Sequence, residues 1–101
     1  MKKLVLIFIL FSSLGFGVNT EKLLSSQKYA QQNYKKSSFL AKELLESAGI
    51  EELINKGIPK ALSKTQYVSI LNDYAFYQME CKNYEKSIEN LNLVLEKDYK
   101  R

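Results

Sequence analysis

Beyond residue 17, apolar residues recur every third or fourth position, and no segment alternates with period two. That spacing gathers apolar side chains on one face of a helix, so an all-α fold without a sheet is expected. Leu23, Gln27, Ala30, Tyr34, Ser37, Ala41, Leu44 and Ala48 form a first, mildly apolar stripe. Gln31-Gln32-Asn33 either interrupts it with a turn or lies within one continuous helix. Asn19 is placed to cap its start, with Val18 and Leu23 flanking as a hydrophobic staple.

Gly49 followed by Ile50 reads as a helix stop through a left-handed glycine. A short helix over Glu51–Lys56 follows, acidic at its start and basic at its end, and Gly57 and Pro59 close it. Ser63-Lys64-Thr65-Gln66 matches a capping box, with Leu62 and Tyr67 in the staple positions. From there Tyr67, Ile70, Leu71, Tyr74, Ala75, Gln78 and Cys81 make a broad stripe. After Asn83, the pattern repeats in Tyr84, Ser87, Ile88, Leu91, Val94 and Leu95. Only Lys82 and Asn83 separate these two helices, so they must fold back as an antiparallel hairpin. The expected organisation is a helical segment with its connector over 18–62 and a hairpin over 63–101.

The first seventeen residues break the helical pattern. Met1-Lys2-Lys3 is a positive start, Leu4 to Phe11 is an unbroken apolar run, and Ser12 to Gly17 turns small. This is the layout of a secretory signal peptide, with Gly15 and Gly17 as the two small residues before a cut between Gly17 and Val18. No cysteine lies near that cut to carry a lipid. The expected location is therefore exported, periplasmic or secreted. The alternative is an uncleaved inner-membrane anchor, although Leu4 to Phe16 is short against the roughly 20 residues of a spanning helix.

Composition then narrows the function classes. The 101 residues contain no histidine or tryptophan and one cysteine. Cleavage would remove Lys2 and Lys3, leaving 13 basic against 11 acidic residues and a net charge of +2. That scattered excess lacks the clustered Arg and Lys, interleaved with aromatics, of nucleic-acid binders. One cysteine cannot form an internal disulfide, so Cys81 is expected to be a small half-buried residue near a helix end, an intermolecular link or a leftover thiol. Without histidine there is no His-based general base or Cys–His pair. One cysteine is too few for a zinc site, and adjacent Glu51 and Glu52 diverge on a helix. None of the four glycines builds a phosphate loop. No catalytic residue, cofactor or metal is expected.

The C-terminal third resembles a tetratricopeptide repeat. Leu71 takes the large position, Tyr74-Ala75 the Leu-Gly pair, Ser87 the later small position, Leu91 the large residue after it and Tyr99 the place of the proline. Asn83-Tyr84-Glu85-Lys86-Ser87-Ile88 is similar to the family's turn and second-helix start. Gln78, Lys82, Val94 and Tyr99 depart from its usual aromatic, glycine, alanine and proline. The resemblance implies close helix approach at Ala75 and Ser87, with Leu91 filling the gap between them. A fainter echo, Asn33-Tyr34-Lys35-Lys36-Ser37-Ser38, stands 50 residues upstream of the stretch beginning at Asn83. It marks either a degenerate first repeat over 20–48 or chance in a Lys/Ser/Asn-rich chain.

In the resembled family the first helix of each hairpin lines a groove for a peptide or partner helix. Carried over, that groove would present Ser69, Asn72, Phe76 and Met79, with Phe76 and Met79 as apolar anchors and Asn72 bonding a ligand backbone. The competing reading packs Phe76 and Met79 against the upstream helices. A face carrying Ile88, Leu91 or Leu95 would be left open after Arg101, suited to a partner, to self-association, or to the next repeat of a longer protein of which this chain is a truncated member. The leading expectation is a small exported protein–protein interaction module. The alternative is a membrane-tethered structural or assembly protein that keeps Leu4 to Phe16.

Overall fold

In the computed structural model, residues 19–99 are described. The Gly17–Val18 boundary, the apolar run before it and the Val18 half of the expected staple lie outside them. Five helices follow one another: α1 (Thr20–Asn33), α2 (Ser38–Ser47), α3 (Ile50–Lys56), α4 (Lys64–Glu80) and α5 (Tyr84–Tyr99). No strand occurs among the described residues, so the fold is all-α.

The helix ends follow local chemistry. Asn19 Oδ1 accepts from the Lys22 N–H at 3.0 Å and caps α1. The Ser63 hydroxyl accepts from the Gln66 N–H at 3.0 Å while the Gln66 side chain accepts from the Ser63 N–H at 3.0 Å, closing both halves of the capping box on α4. Gly49 sits at φ 96° between α2 and α3, a left-handed turn that a side chain rarely adopts. α4 ends in a Schellman turn: the Lys82 N–H bonds the Met79 carbonyl at 2.9 Å and the Asn83 N–H bonds the Gln78 carbonyl at 2.8 Å. Lys82 therefore stands at φ 68°, the position where the resembled family often uses glycine.

The break between α1 and α2 falls at Tyr34–Ser37, one turn later than Gln31-Gln32-Asn33. Asn33 is the last residue of α1, and its side-chain amide turns back to the Tyr29 carbonyl at 2.8 Å. Ser37 caps α2 instead, accepting from the Leu40 N–H at 3.0 Å. The residues immediately preceding the second helix of each pair are thus Ser37 and Asn83, 46 residues apart rather than 50. The sequence echo at Asn33 is out of register with the structure.

α4 is the spine of the fold. It buries Tyr67, Ile70, Leu71, Tyr74, Ala75, Tyr77 and Gln78, joined in the core by Leu23, Leu45, Ile50, Leu53 and Leu62 from the other elements. Cys81 is half-buried at the C-cap of α4. Contacts from Gln27 to Ser69 and Asp73, and from Tyr34 to Phe76 and Tyr77, run in the same chain direction, so α1 lies parallel beside α4. On the other side α5 approaches closely. The Ser87 hydroxyl donates to the Ala75 carbonyl at 2.8 Å, and the Asn90 amide donates to Gln78 Oε1 at 2.7 Å, both buried. Gln78, a departure from the family's aromatic, is thereby provided with a partner. Leu91 does not fill this gap: it is 36% exposed, because Ser87 and Asn90 occupy the α4-facing side of α5.

A lysine in the left-handed region costs about 1–2 kcal/mol, and glycine's added freedom in the unfolded chain offsets about 0.4–1 of a gain from its removal. Lys82→Gly is expected to raise stability by about 0.5–1 kcal/mol, read as a melting temperature several degrees higher. A lower one would show that the Lys82 side chain holds the turn.

Candidate functional site

The exposed side of α4 opposite its buried face carries Thr65, Ser69, Asn72, Phe76 and Met79. The four residues expected to form a groove therefore do share one stripe. Met79 lies ten positions after Ser69, about 15 Å along the axis. Phe76 and Met79 remain 37% and 40% exposed, enough to offer apolar surface near the C-terminal end of a helix anchored on its other side.

The neighbours divide that stripe. Towards α1, Ser69 accepts a hydrogen bond from Gln27 Nε2 at 3.0 Å, and the Phe76 ring meets Tyr34 edge-on with centroids 5.6 Å apart. Phe76 thus packs one side on the end of α1 and turns the rest to water. Towards α5, Ser69 and Asn72 line an open groove of about 400 Å³ with Lys64, Thr65, Val68 and Val94. Asn72 forms no side-chain hydrogen bond of its own among the described residues.

Sequence reasoning missed what holds the α1 wall in place. Asp73 Oδ2 accepts from both Gln27 Nε2 and Gln31 Nε2, each at 2.9 Å. The two glutamines stand one turn apart on α1, so a single carboxylate from α4 bridges them. The only signal in the sequence was the (i, i+4) glutamine pair, and nothing in it indicated Asp73 as the recipient.

Behind the stripe lies a tyrosine-rich layer. The Tyr74 hydroxyl lies 2.8 Å from Glu46 Oε2 and 2.5 Å from Glu51 Oε2, tying α4 to α2 and α3. Its one proton is shared between two carboxylates, while Lys42 pairs Glu46 at 3.2 Å. Glu51 and Glu52 do diverge, since Glu52 pairs with Lys56 at 3.3 Å instead. Burial is the main cause raising the Tyr74 phenol far above its ordinary range, followed by the bonds to Glu51 and Glu46. Burial, then the Asp73 carboxylate, pushes Tyr77 up to about 12, and burial alone raises Tyr67. Tyr67 is fully buried, and its hydroxyl finds no hydrogen-bond partner among the described residues.

Two expectations follow. An unpaired buried hydroxyl costs about 1–3 kcal/mol, so Tyr67→Phe should leave stability unchanged or raise it by about 1 kcal/mol in urea denaturation; a clear loss would reveal a hidden partner. Above pH 10 the unfolded chain ionises phenols that the fold keeps protonated, so it binds fewer protons than the native state. The stability these tyrosines contribute is complete below the unfolded value near 10 and is lost as pH rises through the folded values. Urea midpoints should fall between about pH 10 and 12, and less steeply in Tyr77→Phe; an equal slope would assign the loss to other groups. No protein-family model, no curated protein and no solved structure matches this chain, so its function is read from the geometry of its own exposed surface.

Proposed function

We propose that this chain is a small exported helical module without catalytic function, which binds a peptide or partner helix along the outer stripe of α4. The observation that carries this reading is the partial exposure of Phe76 and Met79 on a helix whose opposite face is fully buried. A ligand meeting such a surface orders little of the protein on binding, and the saved entropy contributes directly to affinity. Phe76 and Met79 serve as apolar anchors, Asn72 bonds the ligand backbone, and Ser69 with Val68 and Val94 forms the adjoining groove.

The α4–α5 pair is read here as a tetratricopeptide-like hairpin. Close contact at Ala75 and Ser87 supports this, as does a left-handed residue at the turn. The reading assigns no cofactor, metal or nucleic acid to the chain. Membrane contact is confined to Met1–Gly17, removed by cleavage before Val18. Retention of Leu4 to Phe16 would instead make the protein a tethered assembly component.

Phe76→Glu tests the stripe, with peptides selected from a displayed random library on the full chain as the probe. The variant loses the ring contact with Tyr34, worth about 0.5–1.5 kcal/mol, yet should remain cooperatively folded and bind the selected peptides at least about tenfold more weakly. A variant that unfolds would assign Phe76 to the core, and one that binds unchanged would move the groove elsewhere. N-terminal sequencing of the exported protein should begin at Val18.

A further inference from the structure

α5 carries a second surface that the stripe on α4 does not use. Tyr84, Ile88, Leu91 and Leu95 follow one another at steps of four, three and four residues. That alternation keeps a seam facing a partner helix. All four are exposed, at 56%, 58%, 36% and 49%. They are not needed for the hairpin, because Ser87 and Asn90 make its buried contacts, while Leu93 and Val94 pack on the core. A three-turn apolar seam about 16 Å long therefore faces solvent with the spacing of a coiled-coil interface.

The charges beside the seam indicate what fits it. At helical spacing Glu85, Glu89, Asn92 and Glu96 form one row along its free edge, and all four are exposed. None of the three glutamates takes part in an ion pair among the described residues. The opposite edge is closed by α4. Lys86 and Lys97 fall on the far side of α5 by the same periodicity. We propose that this seam docks an amphipathic helix whose apolar stripe is flanked by lysine or arginine. A second copy of this chain in antiparallel pairing fits poorly, because that two-fold would set the acidic row against an identical row, and like charges at an interface select against the pairing.

Two designed helical peptides with the same leucine seam, one lysine-flanked and one glutamate-flanked, provide the probe, titrated by fluorescence anisotropy against the full chain. The lysine-flanked peptide is expected to bind at least about tenfold more tightly than the other, with an affinity that falls as salt screens the pairs. The double substitution Ile88→Asn and Leu95→Asn should abolish binding, and Glu85→Lys with Glu89→Lys should reverse the preference. The second variant decides the matter even if the first disturbs α5. Phe76→Glu, on the α1 side of α4, should leave this binding unchanged, which keeps failure here separate from failure of the α4 stripe. Equal binding of both peptides would overturn the proposal. So would a wild-type dimer in sedimentation that the Ile88→Asn and Leu95→Asn variant dissolves, since the seam would then belong to a second copy.

Discussion

The contact between α4 and α5 is close and carries buried polar pairs, and much else follows from it. A serine hydroxyl on the Ala75 carbonyl needs the two backbones close together, which only slim residues at 75 and 87 permit. The Asn90–Gln78 bond lies beside it and is equally buried. Shifting α5 by one residue along α4 would strand both pairs without water, and an unsatisfied buried amide or hydroxyl costs more than the bond itself contributes. The register of the hairpin is therefore held by polar pairing. Because those polar residues take the α4-facing side, the larger apolar residues of α5 are displaced: Leu93 and Val94 towards the core, Ile88, Leu91 and Leu95 towards solvent.

A similar division of labour runs through the centre. Tyr67, Tyr74 and Tyr77 bury large rings in one layer, and each ring brings a hydroxyl whose burial is costly unless paired, as at Tyr67 it is not. Tyr74 solves this by bridging α2 and α3 through Glu46 and Glu51. On the α1 side, Asp73 collects two glutamine amides. α4 is thus tied by side-chain hydrogen bonds to α1, α2, α3 and α5, so the stripe it presents to solvent rests on a fixed base. That rigidity links the packing to the proposed binding role.

The parts of the fold that could be read from the chain were those decided within a few residues. The Ser63–Gln66 capping box, the Asn19 cap, the left-handed Gly49 and the buried stripe from Tyr67 to Gln78 all depend on neighbours one or two turns away. The stripe of Ser69, Asn72, Phe76 and Met79 rests on the family resemblance, and all four lie exposed on one side of α4. Where competing local options are nearly equal, local pattern does not choose between them. Asn33 and Ser37 can each begin a helix, and Ser37 does so because Asn33 turns its amide back to the Tyr29 carbonyl. Leu91, placed in the hairpin gap by family likeness, gave way to Asn90 once Gln78 needed a partner.

The sequence by itself determined that this protein is a string of helices, where most of them begin and end, and which face of α4 is apolar, because caps, glycine turns and 3.6-residue periodicity act over short range. The tertiary structure alone decided which helices lie side by side, that Asp73 and Tyr74 are the polar ties among them, and how Phe76 divides itself between Tyr34 and solvent. Those outcomes depend on partners 23 to 46 residues away. Such pairs meet only when the whole core closes, since the entropy of bringing distant segments together is offset by cooperative burial and not by any local preference.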